Sequence, residues 1–334
     1  MITIRTPYRI SFFGGGTDYY DWYKEYNGDI LSTTINHYNY ISCRYLSPFH
    51  SKLKDNFSWK ILENNKKIGN IRYQIIKSAL IHYNIKQKIE IINQYDLPVC
   101  SGLGSSSSFC AGLIKAIYAI KNKDISKNKL VKETIKFERE ILKESGGIQD
   151  QIASIYGGLN YIHINKNGTF SVKPLNMKEE KKQLLNEHLL LFFTGITRNS
   201  THFAKNQIKS IKNRYKILSK IQEMVKYAKQ ILVSDKKDLD DFGYMLDEYW
   251  KLKSSLTNKI SNSLIDDIYN IAIKNGAIGG KILGAGGGGF ILFYAKPNKH
   301  NGIKNALNKL INVPFKFDNT GCQTILYSPK EYYI

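Results

Sequence analysis

Positions 101 to 108 read Ser-Gly-Leu-Gly-Ser-Ser-Ser-Ser, two glycines and five serines in eight positions. Upstream, Lys88-Ile89-Glu90-Ile91-Ile92 predicts a strand. Downstream, the apolar run Phe109 to Ile114 predicts a helix over about 105–121. A strand, a glycine-serine loop and a helix start together form a device for holding an anion. Glycine lets the backbone come close to a ligand. The unpaired N–H groups of the first helical turn, with the helix dipole, favour phosphate. Serine hydroxyls add hydrogen bonds and can ligate Mg²⁺. A capped helix after a flexible loop would need one serine, not four in a row beside two glycines. The loop has no lysine where a Walker A motif needs one, and Ser107 stands where a Rossmann loop needs its third glycine.

Two more glycine clusters flank this loop. In the first, Pro7-Tyr8-Arg9-Ile10-Ser11-Phe12-Phe13-Gly14-Gly15-Gly16-Thr17-Asp18, an arginine sits inside an apolar strand. A buried arginine needs an acidic partner or an anionic ligand. Asp18 either stabilises the turn or accepts hydrogen bonds from substrate hydroxyls. The other cluster, Gly276 to Gly289, has eight glycines in fourteen positions ahead of the strand Phe290–Tyr294. That many glycines carry a backbone entropy cost, which close approach to a ligand or another loop would justify. Between the clusters lie Glu138-Arg139-Glu140 and Gly146-Gly147-Ile148-Gln149-Asp150-Gln151, where a helix, a Gly-Gly pair and an aspartate place a carboxylate at a loop.

The elements that must position these residues read as α+β in both halves. Strands are expected at 2–13, once or twice within 30–46, and from Gly157 to Ile164; helices at 72–84 and 127–145. The polar, irregular stretch 165–182 marks a boundary between domains at 1–170 and 183–334. A buried strand over 187–193, long helices over 202–275, a helix at about 301–311 and short strands at 314–318 and 323–327 fill the second domain. A chain of 334 residues is long enough for two cores. It shows no signal peptide and no apolar run of membrane-span length, and Cys43, Cys100, Cys110 and Cys322 fit neither a zinc spacing nor a disulfide framework, so a cytoplasmic location without membrane association is expected. The net charge of +21 suggests nucleic acid, but only seven of the 49 basic residues are arginine and the lysines are spread along the chain. Readers of nucleic acid lean on arginine, so no nucleic-acid partner is expected.

In this order, with Asp150 between the second and third clusters, the glycine loops resemble the GHMP kinases, the family of galactokinase, homoserine kinase, mevalonate kinase and phosphomevalonate kinase. The resemblance spans nearly the whole chain, and Pro98–Ser108 is its most specific signature. It implies a two-domain α+β fold, with a ribosomal-protein-S5-like N-terminal α/β domain and a ferredoxin-like C-terminal α+β domain. ATP and the acceptor would meet in the cleft between them. It further implies an ATP-binding loop of Ser101, Gly102, Leu103, Gly104, Ser105, Ser106, Ser107 and Ser108, a Mg²⁺ held by Ser106 and Glu138, and a catalytic Asp150 that accepts or orients the proton of the attacking hydroxyl. Arg9 would pair with Asp150 and stabilise the transferring phosphoryl group. Gly15, Gly16, Thr17 and Asp18 would bind the acceptor, with Gly286 and Gly287 supporting that site.

The motif wording is similar to the sugar-kinase branch that phosphorylates the anomeric hydroxyl of D-glycero-D-manno-heptose 7-phosphate, a step towards nucleotide-sugars. The first loop lacks the Gly-Glu-His of galactokinases, which argues against galactose. A phosphorylated acceptor needs a cationic clamp, for which Arg198 is the first candidate and Lys281 the second. A free hexose such as fucose is the alternative acceptor, and a non-catalytic ligand-binding homologue the alternative class. The expected partners are a small sugar or sugar phosphate and ATP, with room for a homodimer.

Overall fold

The computed structural model describes residues 1–46, 71–86, 88–197, 214–256 and 260–329. Strand β1 (Ile2–Phe13) pairs antiparallel along most of β2 (Gly28–Tyr45), an 18-residue strand where the sequence suggested one or two shorter ones. They anchor a seven-stranded sheet in the order β11 (Gln323–Tyr327), β1, β2, β4 (Asn160–Ile164), β5 (Phe170–Pro174), with β3 (Ile89–Tyr95) and β10 (Phe317–Asp318) also pairing with β2. β4 (Asn160–Ile164) and β5 (Phe170–Pro174) form a hairpin. The stretch expected to be irregular therefore contains a strand. A second, four-stranded sheet runs β7 (Ala277–Ile282), β8 (Phe290–Ala295), β6 (Leu189–Phe193), β9 (Ile311–Asn312).

Helices α2 (Gln74–His82), α3 (Ser105–Ile120), α4 (Lys127–Lys136) and α5 (Gln149–Tyr156) enclose one apolar core with the first sheet. Gly112 lets α3 press onto that sheet, since a Cβ there would lie 3.0 Å from Thr6 Oγ1 and 3.2 Å from Ile41. The expected helix over 127–145 stops at Lys136 and widens into a π-helical segment, Phe137–Ile141. The long helical stretch resolves into α7 (Tyr215–Val233), α8 (Asp240–Ser254) and α9 (Ser263–Lys274), after α1 (Tyr20–Tyr26) and α6 (Glu179–Glu187). No helix among the described residues is long and apolar enough to cross a membrane.

A second core joins the far end of β1 to α7, α8 and the second sheet. Phe12 and Phe13 meet the Phe242 ring edge-on with centroids 5.3 Å apart, and Phe13 meets Tyr249 at 5.4 Å. β1 is consequently buried on both faces from Thr6 onward. The two lobes are also threaded together covalently. β10 and β11 (Gln323–Tyr327), expected to complete the second domain, cross back to pair with β2 and β1 of the first sheet. On the way, Cys322 donates to the carbonyl of Ile155 (3.2 Å) and so clamps the end of α5.

The glycine clusters meet at this junction, backbone against backbone. A Cβ on Gly102 (φ +88°) would lie 2.5 Å from the Leu283 carbonyl oxygen, and one on Gly284 (φ +71°) 2.6 Å from Gly102 Cα. Phe290 N donates to Ser101 O at 3.0 Å. Only glycine satisfies both the left-handed torsion and the spacing. Gly284→Ala is expected to destabilise the fold by on the order of 2 kcal/mol, read as a lower urea midpoint. Gly302→Ala, in the helix α10 (His300–Ala306) with no atom nearer than 3.9 Å, is expected to leave the midpoint unchanged or raise it. Equal midpoints for the two variants would contradict the interlock.

Candidate active site

The interlocked loops open on one side into a cleft. Arg9 projects from β1, only 3% exposed, and donates from Nε to Asp150 Oδ1 (2.8 Å) and from a terminal nitrogen to the Gly102 carbonyl (2.6 Å). Of the acidic partner or anionic ligand that a buried arginine calls for, the structure supplies the first: Asp150, in the first turn of α5 and 27% exposed. Gly104 caps α3 in the left-handed conformation, φ +75°. A Cβ on it would press within 3.2 Å of the Arg9 side chain and 3.5 Å of the Asp150 carboxylate, so the α3 N-terminus lies directly over the ion pair. The N–H groups of that first turn have no partners inside their own helix.

Asp18 is buried against the start of α5. Its carboxylate accepts from Gly16 N (3.0 Å) and Gln149 N (3.3 Å), and its carbonyl accepts from Ile148 N (3.2 Å). Burial pushes this carboxyl above its ordinary value and the Asp150 charge adds to the rise, while the two backbone N–H groups oppose it. Glu138, on the π-helical segment, is 2% exposed. Its Oε2 accepts from Gln151 Nε2 and from the Ser107 hydroxyl (3.3 Å). Burial, with repulsion from Glu144, raises Glu138 to about 7 against the pull of Arg139 and the two hydrogen bonds. Glu138 Oε1 and Gln151 Oε1 are buried without a hydrogen-bond partner among the described residues. Buried orphans of this kind call for a cation or a donor.

Gly15, Gly16, Asp18, Gly102, Gly104, Ser105, Ser106 and Ser107 all line the cleft together with Arg9, Glu138 and Asp150. Other expected site residues take structural positions instead. The Ser101 hydroxyl donates to Pro98 O (2.5 Å), Ser108 donates to its own helix at Ser105 O (3.0 Å), and Leu103 is core. Thr17 donates to the Gly14 and Asp29 carbonyls (2.8 and 3.0 Å), bracing the turn that carries Asp18. Gly286 and Gly287 face away: a Cβ on Gly286 would meet Ile260, and Gly287 N donates to Ile260 O (2.7 Å). Gly284 and Ala285 are the members of that loop that line the cleft.

Lys281 is corrected as a phosphate clamp. It is 1% exposed and donates to the Ser11 and Phe12 carbonyls (2.6 and 2.8 Å), strapping β7 to β1. Burial, and the nearby charges of Lys253 and Arg9, push its amine well below the usual lysine range. Arg198 lies outside the described residues. Sequence reasoning missed two cations that do line the cleft. One is Lys253 of α8, which donates to Gly284 O (2.6 Å); the other is Arg139, adjacent to Glu138. The Arg139 signal was present in Glu138-Arg139-Glu140, but helical periodicity places it on a solvated face and gives no warning of the π-helical turn.

The description "GHMP kinases N terminal domain" matches residues 70–158, and "GHMP kinases C terminal" matches 224–312. The chain is 31% identical over 326 residues to the D-glycero-alpha-D-manno-heptose 7-phosphate kinase of Campylobacter jejuni, covering 92% of this chain and 94% of that protein. It is 25% identical to the bifunctional fucokinase/GDP-fucose pyrophosphorylase of Arabidopsis thaliana over 88% of this chain but 30% of that protein. A solved D-glycero-D-manno-heptose 1-phosphate kinase from Bacteroides thetaiotaomicron superimposes with a TM-score of 0.75 at 26% identity, covering 98% of this chain and 100% of that one.

The Asp18 environment has a consequence for stability. Because its folded-state value is raised, the unfolded chain gives up this proton at lower pH, and the native state loses ground as pH climbs from the ordinary carboxylate value of 3.8 through the raised one. Asp18→Asn removes that loss. The melting temperature of the variant minus that of the native protein is expected to increase from about pH 4 to about pH 7. A pH-independent difference would show that Asp18 titrates normally.

Proposed function

The chain belongs to the GHMP kinases, and from that premise we propose that it transfers the γ-phosphoryl group of ATP to the anomeric hydroxyl of D-glycero-D-manno-heptose 7-phosphate, giving the 1,7-bisphosphate. The sugar kinases of this family are phosphotransferases acting on a hydroxyl group, with ATP as donor. The observation that carries the acceptor assignment is the near-full-length similarity to the Campylobacter jejuni heptose 7-phosphate kinase. The geometry is compatible with that chemistry: an arginine-paired, partly exposed aspartate lies beneath a serine-rich helix N-terminus, with the buried carboxylate of Asp18 beside it.

In this reading the ATP phosphates lie on Gly102, Gly104 and the first turn of α3, where backbone N–H groups and the hydroxyls of Ser105 to Ser107 are the donors. The sugar lies between Gly15, Gly16 and Asp18. Asp150 accepts a hydrogen bond from the anomeric hydroxyl and takes its proton as that oxygen bonds to the γ-phosphorus and the β–γ bridging bond breaks. Arg9 fixes the Asp150 rotamer through Nε and offers its remaining donors to the transferring group. The buried, unpaired Glu138 Oε1, the Ser107 hydroxyl 3.3 Å from Oε2 and the neighbouring Ser106 form a hard-oxygen set that suits Mg²⁺. A Mg²⁺ bound there would neutralise charge on the phosphates.

The test is ³¹P NMR of products formed from Mg-ATP with the heptose 7-phosphate, mannose 6-phosphate, fucose, galactose and mevalonate. A new anomeric phosphate only with the heptose 7-phosphate is expected. Asp150→Asn is expected to lower kcat by about 10²–10⁴-fold with ATP binding retained. Turnover of fucose in place of the heptose would keep the kinase and overturn the acceptor. Full activity in Asp150→Asn would remove Asp150 from the mechanism.

A further inference from the structure

Arg139 has no role in the reading above, yet it stands where the two carboxylate sites adjoin. It occupies the π-helical segment, marked by the hydrogen bond from Leu142 N to Phe137 O (3.0 Å). Widened turns of this type recur at functional sites because they re-aim a side chain. Here the turn sends Glu138 into the buried cluster with Ser107 and Gln151, and Arg139 over the loop that leads to α5.

The guanidinium grips that loop twice, donating to Glu144 O (3.1 Å) and to Gly147 O (2.6 Å), while lying 4.0 Å from Glu138 Oε2. Gly146 is packed under it: a Cβ there would stand 3.2 Å from a terminal nitrogen. Gly147 in turn abuts Asp18 so closely that a Cβ would overlap the carboxylate. The next two residues, Ile148 and Gln149, donate to Asp18, and the one after them is Asp150. A chain of direct contacts thus runs from Arg139 through Gly147 to both aspartates.

We infer that Arg139 is a positioning residue for phosphoryl transfer: its two-carbonyl grip on the 144–147 loop fixes Asp18 and Asp150 relative to Glu138. The catalytic part of this inference rests on the proposed kinase reaction. The planar fork matters as much as the charge, because two carbonyls three residues apart are held by one rigid group. Displacing a reacting group by about 1 Å costs on the order of 10²-fold in rate.

In the full chain, Arg139→Ala is expected to lower kcat about 100-fold while KM for ATP stays within about threefold. Millimolar guanidinium is expected to restore about tenfold of that loss, since the free cation can re-enter the fork. Arg139→Lys, which keeps the charge without the fork, is expected to remain about tenfold or more below the native rate. An alanine variant with native kcat, or a loss that guanidinium leaves untouched, overturns the inference. Amide hydrogen exchange reads the same brace without turnover. Exchange at Gly147 to Gln149 is expected to quicken in Arg139→Ala while β1 is unaffected, and unchanged exchange there overturns the inference. If the native chain phosphorylates none of the acceptors, the proposed reaction fails, and the exchange measurement still decides whether Arg139 is the brace.

Discussion

A full positive charge on a strand buried from both sides is the constraint around which this structure is arranged. Left alone, the Arg9 guanidinium would be very costly in such a place. Its neighbours must therefore converge on it: Asp150 from α5 and the Gly102 carbonyl from the serine loop. Three segments far apart in sequence meet because each supplies something the arginine requires or must accommodate it. Removing one partner would leave a buried charge uncompensated, so the ion pair links stability to the geometry of the proposed reaction centre.

That convergence is only possible if the loops are thin. Gly102 and Gly284 touch backbone to backbone, Gly289 lies against Ser101, and Gly104 leaves the space above the ion pair open. Side chains at these points would hold the lobes apart and block the α3 N-terminus. The same closeness explains why Lys281 and the ring contacts of Phe12 and Phe13 cross the lobe boundary just behind the cleft. The cleft floor is shared by both lobes, and β10 and β11 return to the first sheet to clamp the far end of α5.

Much of this was legible in the residues. The strand, the glycine-serine loop and the helix start at 105 stand where the residues placed them, and an arginine amid Ile10 and Phe12 called for an acidic partner or an anionic ligand, of which the structure supplies Asp150. What stayed hidden depends on directions in space that periodicity does not encode. Nothing local tells that Lys281, directly after a glycine pair, turns back into β1 while Lys253, on an ordinary amphipathic helix, enters the cleft. Gly286 and Gly287 resemble Gly284 in sequence but face Ile260. The π-helical turn that follows α4 departs from the 3.6-residue period, so periodicity does not give the directions of Glu138 and Arg139.

The carboxylates of the cleft sort by what surrounds them. Asp150 is held by an arginine and remains partly open to solvent, as its proposed contact with a hydroxyl needs. Asp18 and Glu138 are buried, and desolvation lifts both above their ordinary range. Keeping Asp18, Glu138, Glu144 and Asp150 around one cleft is unfavourable in the absence of other charges, and the site answers with Arg9 on one side and Arg139 on the other. Those two cations do not saturate the oxygens, since Glu138 Oε1 still has no hydrogen-bond partner among the described residues. A ligand that brings hydroxyl donors to Asp18 or a cation to Glu138 relieves a cost already present in the folded protein. Binding in this cleft therefore draws on the same electrostatic imbalance that the fold creates by burying its acids.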